Sequence, residues 1–294
     1  MEKVLSPPLS TVVKTYLALT KPGIIAGNSI TAVGGFILAS KGSVNPWLLL
    51  ATLTGLSLVI ASACVFNNCI DRQADGKMAR TKDRPLVKGL VTPKQAMLFG
   101  ATLGLIGILF LTFYTNLLTA FIALIGFFVY VLLYSFSKYH STHSTLIGSI
   151  AGAVPPVVGY TAVNNQLDLA ALILFAMIVL WQMPHFYAIA INRSGDYAAA
   201  DIPTLPLKKG MQTTKIHMLL YTAAFTLVSC LLSVFGYLGY AYLTAAISIG
   251  TAWVLLSIKG FKATDDKAWA RKMFLFSLIA VTALCFVIPF SVTS

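Results

Sequence analysis

The sequence predicts an all-α integral membrane protein with nine transmembrane helices. Of its 294 residues, 57% are hydrophobic and only 10% are charged, whereas a soluble domain carries about 25% charged residues. Nine apolar runs are long enough to cross a bilayer, since one helical span needs about 20 residues. Lysines and arginines are concentrated in alternate loops between these runs, as expected when the loops on one side of a membrane carry the positive charge.

The nine apolar runs are separated by polar loops or by short joins. Gly and Pro interrupt several runs, which membrane helices tolerate where neighbouring helices satisfy the freed backbone groups. The joins at 114–117 and 237–240 are so short that we expect tight helical hairpins. The expected spans are residues 24–40, 47–66, 96–114, 117–136, 145–163, 169–191, 218–236, 240–258 and 273–292.

The positive charges place the N-terminus in the cytoplasm and the C-terminus outside. With nine spans, alternate loops lie on opposite sides, and every Lys and Arg except Lys41 falls on the side of the N-terminus. An excess of Lys and Arg marks the cytoplasmic side. The net charge of +12 therefore reflects topology first, and we expect no nucleic-acid binding. We interpret residues 1–23 as a cytoplasmic segment and residues 24–292 as one transmembrane domain.

Amide, acidic and basic side chains cluster after the second apolar run. Asn67, Asp71 and Asp75 are spaced i, i+4 and i+8, so they would share one face of a helix. Ionisable groups at a membrane boundary are costly and tend to be functional. Carboxylate and amide oxygens suit Mg²⁺, which usually binds through a few carboxylates together with substrate phosphates. The cations that follow are Arg72, Lys77, Arg80, Lys82 and Arg84.

A second Asn-x-x-x-Asp pattern follows the sixth run, at Asn192 and Asp196. One such pattern is common, and acidic residues in loops are often merely solvated. The paired occurrence favours a site in which two helix ends face each other and hold one or two Mg²⁺. Lys208 and Lys209, a few residues further on, would help to stabilise a departing diphosphate.

Residues 67–75, continuing through 77–81 and 84–86, resemble the first aspartate-rich motif of the intramembrane prenyltransferase superfamily. That superfamily makes ubiquinones, menaquinones and prenylated haem. Within it, residues 181–186 (WQMPHF) and 196–206 (DYAAADIPTLP) resemble the protohaem IX farnesyltransferases. Residues 19–23, 147–156 and 265–272 add further matches, so the likeness covers nearly the whole chain.

The resemblance implies nine helices around a central cavity that opens toward the cytoplasm, in a multi-pass protein of the cell inner membrane. The implied reaction transfers the farnesyl group of farnesyl diphosphate to the 2-vinyl group of protohaem IX (haem B). Water adds a hydroxyl, and the products are haem O and diphosphate. Membrane lipid, and a haem A synthase or the assembly of a terminal oxidase, are the implied partners besides the two substrates.

The resemblance also assigns roles to individual residues. The expected catalytic residues are Asp71, Asp75, His185, Arg80 and Lys77. The expected metal ligands are Asn67, Asp71, Asp75, Asn192 and Asp196. The expected substrate-binding residues are Asn67, Arg72, Arg84, Tyr134, Lys138, Tyr197, Lys208 and Lys209.

His185 is the residue whose role depends most on the identity of the acceptor. It lies within the sixth run, directly after Pro184, which should kink the helix. An intramembrane His is a functional candidate by default. It would ligate the haem iron or carry a proton; the alternative is a structural His that bonds to a neighbouring helix.

The chain departs from the superfamily's pattern at three places. Asn192 stands where Asp is usual in the second motif, and Asp201 stands where Gly or Asn is more usual. Tyr139 and His140 replace basic residues after Lys138. These departures weaken the expected metal binding by the second motif and the expected grip of the 138–140 loop on phosphate.

Two other functions stay open at this point. One is a related prenyltransferase with an aromatic acceptor such as 4-hydroxybenzoate, against which the intramembrane His185 argues. The other is a transporter or lipid-binding membrane protein without catalysis, because interrupted helices and buried polar groups also mark transporters. Against the second, the polar residues concentrate on one side of the predicted membrane, and few charges fall within the spans.

Overall fold

Helices make up almost all of the computed structural model, which describes residues 8–293. Within those residues the sole β-type pairing is an isolated bridge between Leu238 and Val292. The helices are α1 (Leu9–Leu19), α2 (Pro22–Ser40), α3 (Pro46–Lys77), α4 (Pro93–Tyr114), α5 (Leu117–Phe128), α6 (Ser135–Ser137), α7 (Ser144–Gly152), α8 (Val154–Asn164), α9 (Leu169–Asn192), α10 (Ser194–Ala199), α11 (Leu205–Val234), α12 (Tyr240–Lys259) and α13 (Asp266–Val287).

Nine segments of the described chain are long and apolar enough to cross a membrane, which confirms the predicted number. A π-helical stretch, Val129–Tyr134, joins α5 and α6 into one span, and α7 and α8 form another across a break at Ala153. The two predicted hairpins are also confirmed, since only Thr115 and Asn116 separate α4 from α5, and residues 235–239 separate α11 from α12.

Three helices extend well beyond their predicted apolar runs. Helix α3 continues eleven residues past position 66, to Lys77, while α11 and α13 begin at Leu205 and Asp266 instead of positions 218 and 273. The hydropathy pattern marks where the membrane ends, and a helix does not have to stop there. The extension of α3 is the important one, because it places the whole first motif on a regular helix.

Helix α1 precedes the first span. Its residues Leu9, Val13 and Leu17 are 78%, 56% and 55% exposed and lie along one side of the helix, whereas Leu19 at its end is fully buried. This helix falls within the predicted segment 1–23, of which residues 1–7, including Lys3, lie outside the described part of the chain. Helix α1 therefore has an exposed apolar side along most of its length and joins the packed bundle only at its C-terminal end.

The spans pack against their neighbours in sequence, and further interfaces connect distant parts of the chain. Helix α2 packs closely on α8 and also meets α13, and α9 packs against both α11 and α13. Long helices packed side by side in this way bring the C-terminal ends of α3 and α9 and the start of α13 to the same end of the bundle as the start of α2.

Glycines make the contact between α2 and α8 unusually close. A Cβ atom on Gly35 would lie 2.0 Å from the carbonyl oxygen of Pro156, and one on Gly159 would lie 2.0 Å from the carbonyl oxygen of Ala32. Membrane helices associate through such small-residue contacts because lipid supplies no hydrophobic drive between them. The backbones of α2 and α8 therefore touch, and no larger residue fits between them.

Replacing Gly35 with Ala should destabilise the protein by about 2 kcal/mol or more, because an added Cβ forces two backbones apart. Gly27→Ala is the matched control on the same helix, since nothing lies within 4 Å of its Cβ position. The control should be neutral or slightly stabilising, because Ala favours a helix over Gly. The midpoint of thermal unfolding in detergent measures both; equal midpoints would contradict the close contact.

Candidate active site

One face of α3 carries four buried polar side chains. Asn67, Asn68, Asp71 and Asp75 are each no more than 6% exposed. The helix is started by Asn45, whose side chain accepts from the backbone N–H groups of residues 47 and 48, and it ends where Met78 turns extended. The predicted i, i+4, i+8 face is therefore present, and it points into the protein instead of the solvent.

Asp71 is held by two side chains from the segment that follows α6. The ammonium of Lys138 forms an ion pair with Asp71 Oδ2, and the Tyr139 hydroxyl donates to Oδ1 at 2.8 Å. Burial, reinforced by the Asp71 carboxylate, raises the pKa of Tyr139 above its ordinary value, so the phenol keeps the proton that it donates. Tyr139 was not predicted as a site residue. Because it stands where the superfamily usually has a basic residue, the sequence had instead predicted weaker phosphate binding by this loop.

Asp75 is paired with Arg84, from the loop after α3. Arg84 Nη1 lies 2.5 Å from Asp75 Oδ2 and 3.2 Å from Asn68 Oδ1, and the Thr81 hydroxyl donates to the Asp75 backbone carbonyl. The predicted substrate-binding residue Arg84 is thus brought directly to the predicted metal ligand. Arg72 points elsewhere: its Nε donates to the Leu86 carbonyl at 3.1 Å, which fixes the path of the loop.

Asn67 contacts a residue that the sequence analysis did not select. Lys21 Nζ donates to Asn67 Oδ1 at 2.8 Å. Lys21 has the left-handed conformation (φ 53°, ψ 68°) directly before Pro22 begins α2, a conformation that costs energy in a non-glycine residue and concentrates at functional sites. Burial lowers the pKa of Lys21 from its ordinary value to about 8. The match at residues 19–23 was the signal available in the sequence.

The π-helical stretch Val129–Tyr134 shapes the wall opposite α3. Tyr130 and Tyr134 stack there with ring centroids 5.4 Å apart, and the Ser135 hydroxyl both donates to the Tyr130 carbonyl and accepts from Asn67 Nδ2. Such π-helical turns occur frequently at functional sites because they redirect side chains that a regular helix would point elsewhere. Tyr134, a predicted substrate contact, therefore stands next to the acidic face, with Lys138 Nζ 5.6 Å from its ring centroid.

The second motif meets the loop that follows the first. Asp196 Oδ1 accepts a hydrogen bond of 3.0 Å from the backbone N–H of Ala79, so the two motifs lie side by side as predicted. Asn192 donates back to the Ala188 carbonyl within α9, which leaves its amide oxygen as the group that can face a ligand. Tyr197 packs with Tyr139 against a small apolar cluster around Met78.

Asp201 has a backbone role that accounts for its departure from the family pattern. Its φ of 55° lies in the left-handed region, which Gly and Asn adopt most readily and Asp tolerates. Its side chain is 87% exposed and lies 3.5 Å from the exposed Lys77 ammonium, a surface pair of little energetic weight. Asp201 thus fits the turn before α11 rather than a metal site.

Lys208 and Lys209 are exposed near the start of α11, before Gly210 (φ 83°) kinks that helix. Within residues 8–293, no ion pair joins either lysine to a carboxylate. Arg80 and Lys77 instead line a pocket together with Asn192 and Asp196.

His185 is set in an aromatic cage between α9 and α13. Its ring stacks on Trp181 at 4.8 Å and lies 4.9 Å from the ring of Phe274. Its Nδ1 lies 2.7 Å from Ser277 Oγ, and that hydroxyl donates its own proton to the Phe274 carbonyl at 2.5 Å. The network therefore assigns Nδ1 as a donor to Ser277 and leaves the lone pair on Nε2, which has no hydrogen-bond partner among residues 8–293.

The acidic face has the donor atoms that a magnesium ion requires. Oxygens of Asn67, Asp71 and Asp75 each accept a hydrogen bond from a different segment, through Lys21, Tyr139 and Arg84 respectively. Within the described residues, no group of three or more His, Cys, Asp or Glu side chains lies close enough to hold a metal alone. The amide oxygen and phosphate oxygens from a substrate would therefore complete the coordination.

Comparison with known proteins matches residues 28–279 to the UbiA prenyltransferase family. The chain belongs to the UbiA prenyltransferase family. The curated relatives include a protein named protoheme IX farnesyltransferase from Protochlamydia amoebophila, 53% identical over 95% of this chain and 99% of that protein. A protein of the same name from Serratia proteamaculans is 51% identical over 96% of each chain.

Solved structures of other proteins show the same fold. A structure described as digeranylgeranylglyceryl phosphate synthase in membranes superposes with a TM-score of 0.78, at 20% identity, over 95% of this chain and 97% of that one. A UbiA homologue from Archaeoglobus fulgidus bound to GPP and Mg²⁺ gives a TM-score of 0.67, at 13% identity, over 94% and 99%. At these identities the likeness establishes the family fold and nothing finer.

Replacing Lys138 with Met should lower the stability of the protein by about 3 kcal/mol or more, because it leaves the buried Asp71 carboxylate without its cation. Lys88→Met is the matched control, since the Lys88–Asp83 pair is 55% and 66% exposed and exposed pairs contribute little. Thermal unfolding in detergent should show a lowered midpoint for the first variant and an unchanged one for the second. Similar midpoints for the two variants would show that the Lys138–Asp71 pair does not contribute to the stability of the protein.

Proposed function

We propose that this chain transfers the farnesyl group of farnesyl diphosphate to the 2-vinyl group of protohaem IX (haem B), giving haem O and diphosphate. The observation that carries the proposal is the pairing of a buried acidic face with the caged His185, in a chain about half identical to proteins named protoheme IX farnesyltransferase. The acidic face accounts for a diphosphate donor. The caged His accounts for an acceptor that contains iron.

The donor half of the reaction requires that the negative charge of the departing diphosphate be stabilised. In the first step the bond between C1 of the farnesyl chain and the diphosphate oxygen breaks, and the electron pair leaves with the diphosphate. Lys21, Arg84 and Lys138 already contact Asn67, Asp75 and Asp71, and they would turn from these acceptors to the phosphate oxygens. Lys77 and Arg80, on the adjoining loop, would bind the departing diphosphate, because charge-assisted bonds strengthen as negative charge develops.

Asn67, Asp71 and Asp75 would hold one or two Mg²⁺, with Asp196 and the amide oxygen of Asn192 completing the site from the second motif. Magnesium, when bound, neutralises negative charge on the diphosphate. A solved UbiA homologue bound to GPP and Mg²⁺ supports the use of magnesium together with a prenyl diphosphate. Tyr139, which donates to Asp71 Oδ1, would keep that carboxylate oriented toward the ion.

The acceptor half forms a carbon–carbon bond. The vinyl group of the porphyrin attacks C1 of the farnesyl cation, and water adds to the new cation beside the ring and loses a proton, which leaves a hydroxyl. Tyr130 and Tyr134 present ring faces beside the acidic cluster, and aromatic faces stabilise cations. His185 would recognise the haem through the lone pair on Nε2, with Ser277 fixing its ring.

The setting of the enzyme belongs to the same proposal. The excess of Lys and Arg on one side supports an N-terminus in the cytoplasm, a C-terminus outside and an active site that faces the cytoplasm from a central cavity. We assign the chain to the cell inner membrane, with residues 24–292 as one catalytic domain. A haem A synthase, or the assembly of a terminal oxidase, would use haem O.

The decisive test incubates membranes that contain the protein with haem B, farnesyl diphosphate and Mg²⁺, and searches for haem O by mass. Haem O should form with the wild type. Asp71→Asn and Asp75→Asn keep an acceptor oxygen for Lys138 and Arg84 and should lower turnover about 100-fold or more, the loss typical of a transition-state charge contact.

Asp83→Asn is the control for these two variants, since Asp83 is exposed and pairs with Lys88; its turnover should match the wild type. Retained activity in both Asp71→Asn and Asp75→Asn would contradict the diphosphate role of α3. Prenylation of 4-hydroxybenzoate without any haem O would overturn the acceptor, and no transfer to either acceptor would favour a non-catalytic protein.

His185→Ala should impair the use of haem more than the binding of the diphosphate, because the cage of His185 lies between α9 and α13 and contains none of the α3 carboxylates. The KM for haem should rise and the Soret spectrum of bound haem should change. Binding of a non-hydrolysable farnesyl thiodiphosphate should stay within about twofold of the wild type. An equal loss for both substrates would show that His185 is structural.

A further inference from the structure

A basic pocket lies beside the first motif, where α9 ends and α13 begins. It is open to the surroundings, and its volume is about 640 Å³. Asp196, its one carboxylate, already accepts from the Ala79 backbone. The pocket therefore selects for anions. Its four cationic side chains are Lys77, Arg80, Arg193 and Lys267.

The four cations come from two different parts of the chain. Lys77 and Arg80 belong to the end of α3 and the loop after it, next to Asp75, so the proposed diphosphate binding accounts for them. Arg193 and Lys267 belong to the ends of α9 and α13. Both are exposed, and within residues 8–293 neither forms an ion pair. The proposed binding of the donor does not use these two cations.

The helical register connects this pocket to His185. Asn192 lines the pocket and lies seven residues after His185, and Lys267 lies seven residues before Phe274. Seven residues are close to two full turns, so each pair shares one face of its helix and is separated by about 10 Å along the axis. Since the rings of His185 and Phe274 are 4.9 Å apart, the pocket stands two turns beyond the cage of His185, at the same pair of helices.

A ligand that occupies both places must have an aromatic or metal-containing centre and an anionic edge about two helical turns away. A porphyrin has this shape, because its two propionates project from one edge of the ring and its iron lies at the centre. We propose that Arg193 and Lys267 bind the two propionate carboxylates of the haem acceptor while its centre lies at His185. The inference rests on the proposed function, since it names where that acceptor binds.

This placement also orients the reaction. The vinyl-bearing edge of the porphyrin lies opposite its propionates, so binding of the propionates at the helix ends directs the vinyl groups into the bundle. Arg193 and Lys267 are thus positioning and recognition residues, distinct from the cations on the α3 side. Carboxylates that accept from Arg and Lys form charge-assisted hydrogen bonds, which are about twice as strong as neutral ones.

The test compares haem B with its dimethyl ester, which lacks both carboxylate charges and keeps the ring, the iron and the vinyl groups. The purified full-length chain in lipid nanodiscs is titrated with each porphyrin, and binding is followed at the Soret band. Wild type should bind the diacid about tenfold or more tightly than the ester, as expected for charge-assisted hydrogen bonds. The double variant Arg193→Gln/Lys267→Gln should lose this preference and bind the ester with wild-type affinity.

Lys272→Gln is the matched control, because Lys272 is exposed on another side of the same helix; it should keep the wild-type preference. A double variant that keeps the preference would overturn the inference. If such a variant also bound farnesyl thiodiphosphate more weakly, the pocket would serve the donor instead of the haem. If the wild type binds neither porphyrin and makes no haem O, the proposed function itself is refuted. If it makes haem O but shows no preference for the diacid, only the inference about the propionates is refuted.

Discussion

Two buried carboxylates on one helix need positive partners, and the arrangement of the whole site follows from that need. Asp71 and Asp75 are 6% and 2% exposed, and an unpaired charge at such depth is strongly destabilising. Lys138 from the segment after α6 pairs with Asp71, and Arg84 from the loop after α3 pairs with Asp75. Each partner ties its segment to α3. The same charges that stabilise the fold are therefore gathered where a diphosphate would bind.

The bundle around this site is held by a different kind of contact. Gly35 and Gly159 bring the backbones of α2 and α8 together, and the glycine contact involves no charged group. Near the site, by contrast, long polar side chains such as Lys21 and Tyr139 connect the segments through hydrogen bonds. Close packing at one end and polar bridges at the other are compatible because α2 takes part in both.

Much of this organisation was predictable from the sequence because it is local. The number of spans follows from hydropathy, and the shared face of Asn67, Asp71 and Asp75 follows from helical periodicity. The partners of that face were not predictable in the same way, because the Lys21–Asn67 and Tyr139–Asp71 contacts join residues 46 and 68 positions apart. The likeness at residues 19–23 singled out the segment of Lys21 but not its contact. The length of α3 was underestimated because its last turns are polar yet packed against protein.

The backbone contact between α2 and α8 has a consequence for the membrane as a permeability barrier. Gly35 lies 14 residues beyond Lys21 on the same helix, about 20 Å along its axis. A protein that admits water-soluble ions and phosphates into one end of a helical bundle risks opening a path for protons through the bilayer. Where α2 and α8 touch, an added Cβ atom would already overlap a backbone carbonyl. This interface therefore leaves no gap for a file of water molecules that could carry protons between these two helices.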